Sequence, residues 1–162
     1  MSNGSHGSGG GISDDSIEGS CGDDFIIGDE GNDTLDGGSS DDTLQSEWDD
    51  DWLRGGDGSD TFRVSENAGY DTIEGGEGGS DFDTFEAVSG EGVSVAFIGD
   101  EAGTYDYESG LAQDEFTQIE AISGGSGDDR VDAAASAASQ TLYGNAGDDV
   151  LTGGSGDDTL DG

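Results

Sequence analysis

A repeat of nine residues, beginning at Gly10, constrains this chain more than any other feature. Residues 10–63 divide without a gap into six nonapeptides, each with Asp at its sixth position and a large apolar residue at its eighth. The sixth positions are Asp15, Asp24, Asp33, Asp42, Asp51 and Asp60. The eighth positions are Ile17, Ile26, Leu35, Leu44, Leu53 and Phe62. Composition does not explain this regularity, and a fixed period indicates a stack of similar units.

The same period returns near the C-terminus, with Asp129, Asp149 and Asp158 at sixth positions. Gln140 takes that place in one lengthened repeat, and a site that pairs it with Asp158 should be weak or empty because an amide is uncharged. Past Phe62 the first array continues through Asp71 and Asp83, in repeats stretched to eleven and twelve residues. We expect stacking to be less regular there.

Each nonapeptide predicts one turn and one short strand. Six glycine-rich, acidic residues suit a tight turn, because glycine accepts positive φ at little steric cost. The next three residues alternate polar, apolar, polar, as in a half-buried strand. Two nonapeptides then make one coil of a flattened all-β solenoid, with Asp15, Asp33 and Asp51 stacked on one edge.

The charge of the chain excludes several classes of partner. The 162 residues include 40 acidic and three basic side chains, for a net charge of −37. Nucleic acids and anionic membranes are polyanions, so neither is expected to bind. No apolar run is long enough to span a membrane, and Met1 does not begin a Sec-type signal.

The stacked carboxylates predict a cation. Neighbouring carboxylates on coils about 4.8 Å apart repel each other by about 3 kcal/mol per pair, for an effective dielectric constant near 20. A divalent ion reverses the sign, and hard oxygen ligands favour Ca²⁺ over zinc or copper. Only 29% of residues are hydrophobic, which is typical of disorder. We therefore expect a disordered chain without calcium and an ordered chain with several Ca²⁺ ions.

The pattern Gly-Gly-x-Gly-x-Asp-x-apolar-x at residues 55–63, 124–132 and 153–161 resembles the RTX, or haemolysin-type, calcium-binding repeat. The resemblance implies a right-handed parallel β-roll with Ca²⁺ between stacked turns, in a bacterial protein exported by type I secretion that folds outside the cell. It also implies the ligands. The carboxylate ligands would be Asp15, Asp24, Asp33, Asp42, Asp51, Asp60, Asp71, Asp83, Asp129, Asp149 and Asp158. The carbonyl ligands would include those of Gly28, Glu30, Gly55, Asp57, Gly144 and Gly153. The fifth repeat, SEWDDDWLR, lacks the loop glycines, so Asp51 is a weaker candidate than Asp33.

The sequence divides into four segments. Residues 1–9 are expected to be a flexible leader, 10–85 the N-terminal roll, 86–121 an irregular β insert that continues the roll, and 122–162 the C-terminal roll. The insert should form two strands around a Gly-Asp-Glu-Ala-Gly turn. Its expected core residues are Val93, Val95, Phe97, Tyr105, Phe116, Ile119 and Ile122.

The remaining motifs bear on functions other than calcium binding. Trp48 and Trp52 should point outward, and they either contact a cell-surface glycan or protein, or pack over an irregular turn. No P-loop, GxSxG or HExxH motif is present, and no carboxylate lies in an apolar setting that would suit a general acid. The chain is therefore expected to be a non-enzymatic calcium-binding module of a larger secreted protein. The alternatives are a carbohydrate- or cell-surface-binding module and a rigid spacer of an adhesin.

Overall fold

The computed structural model describes residues 7–65, 69–76, 81–88, 90–107 and 114–162. Regular structure in these ranges consists of short β-strands. The strands are β1 (Gly7–Gly11), β2 (Ser16–Glu18), β3 (Phe25–Asp29), β4 (Thr34–Ser39), β5 (Thr43–Gln45), β6 (Trp52–Asp57), β7 (Thr61–Val64), β8 (Thr72–Glu74), β9 (Thr84–Ala87), β10 (Val93–Gly99), β11 (Ala102–Tyr107), β12 (Asp114–Thr117), β13 (Ala121–Ser123), β14 (Arg130–Asp132), β15 (Thr141–Tyr143), β16 (Val150–Thr152) and β17 (Thr159–Asp161). None of the described residues belongs to a helix long and apolar enough to cross a membrane.

The strands form two sheets that face each other across one core. Sheet A has the order β1-β3-β5-β7-β9-β13-β15-β17, and sheet B has the order β16-β14-β10-β11-β12-β8-β6-β4-β2. Successive nonapeptides alternate between the sheets, and each nonapeptide strand pairs in parallel with the strand one coil away. The predicted all-β solenoid is confirmed.

The register follows the repeat. In sheet A, Ile26 pairs with Leu44 and Leu44 with Phe62, so the eighth positions stack in a column inside the roll. The column continues to Phe85, across the repeat that was expected to stack less regularly. That expectation was wrong, because the strand register is unchanged across the lengthened repeats.

The insert departs from the parallel pattern within sheet B. Strands β10, β11 and β12 form an antiparallel meander. Its outer strands join the roll on either side, with Phe116 beside Ile73 and Val95 beside Val131. The two predicted strands correspond to β10 and β11, and all seven predicted core residues of the insert are buried.

The core changes in character along the roll. The first coils and the last coils bury mainly aliphatic side chains such as Leu35 and Leu142. The central coils bury aromatic rings that touch one another: the centroids of Phe85 and Tyr105 lie 4.6 Å apart, and those of Phe97 and Phe116 lie 5.2 Å apart. The insert therefore contributes most of its apolar area to the middle of the molecule.

Candidate metal centres

The turns of the solenoid form two edges. Edge I contains the turns that lead from sheet A to sheet B, including those that end at Asp15, Asp33 and Asp51. Edge II contains the turns that lead from sheet B to sheet A, including those that end at Asp24 and Asp42. The stacking predicted from the nine-residue period is therefore present, with residues 18 positions apart on the same edge.

Most sixth-position carboxylates accept a backbone hydrogen bond with one oxygen, Oδ1. The backbone N–H of Asp15 donates to Asp33 Oδ1 at 2.8 Å, and the N–H of Asp24 donates to Asp42 Oδ1 at 2.7 Å. The same bond recurs from coil to coil along both edges. The further acceptors are Oδ1 of Asp51, Asp60, Asp71, Asp83, Asp129, Asp149 and Asp158. These bonds fix the rotamer of each carboxylate.

The second oxygen of most of these carboxylates is buried and has no hydrogen-bond donor. The atoms concerned are Oδ2 of Asp24, Asp33, Asp42, Asp51, Asp60, Asp71, Asp83, Asp129 and Asp149. An unpaired buried oxygen of this kind costs free energy. Nine such atoms in periodic positions indicate that something outside the polypeptide supplies a partner for most of them.

Under most of these oxygens lies a glycine, which has no Cβ to block the approach of other atoms. A Cβ built on Gly19 would be only 2.6 Å from Asp24 Oδ2 and 2.5 Å from the carbonyl oxygen of Gly37 on the next coil. Only glycine allows the carboxylate and the carbonyl to converge there. The same glycine, five residues earlier in regular repeats, backs nine carboxylates, which we call the glycine-backed aspartates: Asp15, Asp24, Asp33, Asp42, Asp60, Asp83, Asp129, Asp149 and Asp158.

The predicted carbonyl ligands are only partly brought to these positions. The carbonyls of Gly28, Gly55 and Gly144 each lie over the first glycine of the preceding coil on their edge. The carbonyl of Asp57 instead accepts the N–H of Ser40 at 2.7 Å.

The other two predicted carbonyl ligands lie elsewhere in the turns. Gly153 backs Asp158, and no contact places its carbonyl beside a neighbouring carboxylate in the described structure. Glu30 is exposed and forms a bridge with Trp48. The carbonyls of Glu30, Asp57 and Gly153 are therefore less well placed as ligands than those of Gly28, Gly55 and Gly144.

The three arginines do not neutralise the turn aspartates. Arg63 pairs with Glu86 at 3.2 Å, and Arg130 pairs with Asp132 at 3.1 Å. Arg54 lies 3.8 Å from Asp36. All three pairs lie on strand residues, away from the glycine-backed carboxylates, so the negative potential of the turns remains.

Burial makes the ionised form of the turn carboxylates unfavourable. Desolvation raises the pKa of Asp42 and Asp60 to about 6, against the lowering effect of the backbone hydrogen bond that each accepts. Desolvation likewise raises the pKa of Asp83 to about 7, with added repulsion from Asp60 and Glu120. A bound cation would reverse these shifts, because it stabilises the ionised form.

The donor set fits calcium. It consists of carboxylate and backbone carbonyl oxygens, the hard ligands that Ca²⁺ prefers. No group of three or more His, Cys, Asp or Glu side chains in the described ranges is arranged as a metal site. The candidate sites combine turn carboxylates with main-chain oxygens, an arrangement that suits Ca²⁺ and not zinc.

Sequence reasoning missed three residues that continue the turn pattern through the insert. Asp114 Oδ1 accepts the N–H of Asp71 at 2.8 Å, and Glu120 Oε2 accepts the N–H of Asp83 at 2.7 Å. The carbonyl of Gln118 lies over Gly75, as a glycine carbonyl does elsewhere. The available signal was weak: Asp-Glu-Phe-Thr and Glu-Ala-Ile-Ser each place an acidic residue two positions before a buried apolar one, without the glycine loop.

Gln140 replaces the carboxylate on edge II, as the sequence indicates. Its N–H donates to Asp158 Oδ1 at 2.9 Å, so the backbone stacking is retained. Its side chain is buried, and Nε2 lies 3.4 Å from Ser136 Oγ. The amide nitrogen occupies the turn without contributing charge.

Trp48 and Trp52 lie on different surfaces. Trp48 is 49% exposed and lies beside an open groove lined by Gly11, Ile12, Asp29, Glu30 and Glu47. Trp52 is 45% exposed on the outer face of sheet B, where it pairs with Thr34 and Thr72. Both rings point outward, as predicted, but they do not form one surface.

The sequence was also compared with known proteins. A family model for the RTX calcium-binding nonapeptide repeat matches in four copies, at residues 9–44, 27–62, 121–137 and 135–162. These matches cover more than half of the 162 residues. No curated protein and no solved structure is significantly similar to the chain. The repeat match, the parallel solenoid and the glycine-backed carboxylates agree: the chain belongs to the RTX calcium-binding nonapeptide repeat family.

Proposed function

We propose that this chain is a calcium-binding β-roll module that is largely disordered without Ca²⁺ and folds when the ion binds between its turns. The observation that carries the proposal is the row of buried Oδ2 atoms that lack a donor and face a glycine. The residues proposed to hold calcium are the nine glycine-backed aspartates, with main-chain oxygens of the adjacent coil.

The chain's own residues prepare the sites. The hydrogen bond to Oδ1 orients each carboxylate, and the missing Cβ of glycine leaves room for Oδ2 and a carbonyl to approach. Calcium, when bound, supplies the positive charge that the sequence lacks. Because the ion binds the folded turns and not the extended chain, its binding free energy becomes folding free energy.

The setting of this function follows from the family. RTX repeats are typical of secreted bacterial proteins, and the calcium-poor cytosol would keep the chain unfolded for type I export. Outside the cell, calcium would close the roll next to the rest of a larger parent protein. The RTX repeat family is a structural module family, so we propose no enzymatic role. We expect neither nucleic acid nor anionic membrane as a partner, because the net charge of −37 repels both.

A calcium titration tests this function. Isothermal calorimetry should show binding of several ions, and far-UV circular dichroism of the same sample should show β structure that is largely lost on addition of EGTA. A chain with the same spectrum in calcium and in excess EGTA, or one that binds no calcium, would contradict the proposal.

A matched pair of variants locates the binding. Asp33→Asn removes one charge from a buried, glycine-backed carboxylate and should weaken calcium binding at least about tenfold. Asp36→Asn removes the same charge from the face of sheet B, where Asp36 is partly exposed beside Arg54. It should leave the titration unchanged. Equal effects of the two substitutions would mean that net charge, and not the turn site, controls binding.

A second candidate function, binding of a cell-surface glycan, is favoured by the groove beside Trp48. An exposed indole next to Glu30 and Glu47 offers a stacking face for a sugar ring and carboxylates for its hydroxyl groups. On a glycan array in the presence of calcium, Trp48→Ala should abolish any signal. Trp52→Ala, on a different surface, is the control and should retain it. Absence of binding by the unmodified chain would reject this candidate and leave the calcium function untouched.

A further inference from the structure

The turns of edge I differ between the ends of the roll and its middle. The first turn position is glycine in the N-terminal coils at Gly28 and in the C-terminal coils at Gly124 and Gly144. Between them, the register places Ser46 and Val64 at the same position. In the next coil of the roll, the equivalent residue is Ala87, which pairs with Val64.

The side chains at these three positions fill the space that glycine leaves open elsewhere. Ser46 and Val64 are fully buried, and Ala87 is nearly so. In the glycine-backed turns, a Cβ at this position would displace the aspartate Oδ2 atom or the carbonyl oxygen of the next coil. The neighbouring aspartates Asp51 and Asp71 therefore lack the cradle shared by the nine glycine-backed aspartates.

The carbonyl at the centre of this stretch is already saturated. The oxygen of Val64 accepts the N–H of Val88 at 2.9 Å and the hydroxyl of Tyr107 at 2.7 Å. A carbonyl oxygen has two lone pairs, so none is left for a cation. One coil earlier, Ser65 Oγ donates to the carbonyl of Glu47 at 3.1 Å. Hydroxyl groups thus take up main-chain oxygens of these turns.

The carboxylate of Asp71 has hydroxyl groups beside it as well. Ser46 Oγ and Tyr105 OH are buried without a hydrogen-bond partner of good geometry, and both lie near enough to Asp71 to lower its pKa against the larger effect of burial. Since a hydroxyl hydrogen rotates, small movements would satisfy all three groups. The Tyr105 ring is fixed by its contacts with Phe85 and Tyr107.

We propose that hydroxyl groups take the place of calcium along this stretch of edge I, which we call the hydroxyl seam and define as Ser46, Val64, Ser65, Asp71, Tyr105 and Tyr107. The calcium array is then divided, with edge I sites only in the N-terminal and C-terminal coils. Asp51 and Asp71 are not calcium ligands, although both occupy sixth positions of the repeat. This inference rests on the proposed calcium function and refines it.

Two substitutions on the same edge test the inference in the full chain. Asp33→Asn should lower the calcium stoichiometry by about one ion per chain, whereas Asp71→Asn should leave it equal to that of the unmodified protein. Both carboxylates accept a backbone N–H from the preceding coil, so any change in that interaction is matched between the two variants. Stoichiometry is the measured quantity, because it does not depend on small changes in stability.

The outcomes separate the inference from the function on which it rests. Loss of an ion in both variants would overturn the hydroxyl seam and leave calcium binding in place. An unmodified chain that binds no calcium would overturn both. If Asp71→Asn does not fold, Asp51→Asn provides the same test, because Asp51 also accepts a backbone N–H from the preceding coil. Its ion count should remain that of the unmodified protein, and the loss of one ion would overturn the hydroxyl seam.

Discussion

The N-terminal coils and the central coils use the same strand register but are stabilised differently. In the N-terminal coils, most turns combine a glycine, a carboxylate with one unpartnered oxygen, and a single aliphatic side chain such as Leu35. In the central coils, aromatic rings from the insert fill the core, and tyrosine and serine hydroxyls enter the turns of edge I. Under the proposed calcium function, a solenoid coil depends on an external cation where its turn is built from glycine and carboxylate. A coil depends less on a cation where side chains fill the turn.

Removal of a central ring should have the largest effect among single substitutions. Phe85 is fully buried against Tyr105, and Phe85→Ala should destabilise the roll by about 3 to 5 kcal/mol. In EGTA it should also abolish the near-UV circular dichroism that remains from the central coils.

Leu35→Ala is the matched truncation in the N-terminal coils. It should lower the melting temperature in calcium, but it should not change the residual signal in EGTA, because those coils are already unfolded there. If the two variants behave alike in EGTA, the two regions do not differ in their dependence on calcium.

Filling a glycine cradle should have the next largest effect. A Cβ on Gly37 would lie 2.5 Å from Asp42 Oδ2 and 2.8 Å from the carbonyl oxygen of Gly55. Gly37→Ala should therefore displace both oxygens, cost about 1 to 3 kcal/mol, and weaken calcium binding in a calorimetric titration. Gly99→Ala is the control, because nothing lies within 4 Å of a Cβ at that position. Similar calcium affinities for the two variants would argue against the cradle.

Acid should partly replace calcium in the glycine-backed turns. Burial raises the pKa of Asp42 to about 6 and that of Asp83 to about 7, whereas in an unfolded chain both are close to 3.8. The folded chain thus binds protons that the unfolded chain releases. The cost of burying ionised carboxylates is full above about pH 7, falls as the pH decreases through 7 and 6, and disappears below about pH 4.

Far-UV circular dichroism in EGTA should therefore show a gain of β structure between pH 8 and pH 5. In calcium, the same protons compete with the ion, so the calorimetric affinity should decrease over this range. A calcium-free chain whose spectrum does not change until pH 4 would show that only exposed carboxylates titrate.

The smallest effect is expected for a single hydroxyl of the hydroxyl seam. Tyr107→Phe removes the 2.7 Å hydrogen bond to the Val64 carbonyl and should cost about 1 kcal/mol in chemical denaturation. Tyr143→Phe, at a ring that is 40% exposed, should be neutral. Equal stability of the two variants would mean that the buried hydroxyl contributes nothing to the central turns.

The nine-residue period was sufficient to predict much of the fold. It predicts the two sheets, the stacking of Asp15, Asp33 and Asp51, and the buried eighth positions, because a parallel solenoid repeats the same local geometry in every coil. It could not predict Asp114 and Glu120, which continue the turn pattern after gaps of 43 and 37 residues. The antiparallel strands β10 and β11 precede both residues in the chain, so no fixed residue spacing connects them to the repeats before the insert.

The hydroxyl seam was also beyond the reach of the sequence. Ser46 was visible as a missing glycine, but Val64 looked like an ordinary strand residue. Its role depends on Tyr107, 43 residues later, which the fold of the insert brings to the Val64 carbonyl. Contacts of this kind follow from tertiary packing, so a local repeat carries no signal for them.

Hydrogen exchange of the full chain in calcium and in EGTA tests the central claim most directly. The account predicts that amides of β2 to β5 and β14 to β17 lose protection by about a hundredfold or more in EGTA, whereas those of β7, β9, β11 and β12 lose about tenfold or less. A uniform loss across all strands, or protection of the terminal coils that persists in EGTA, would contradict it.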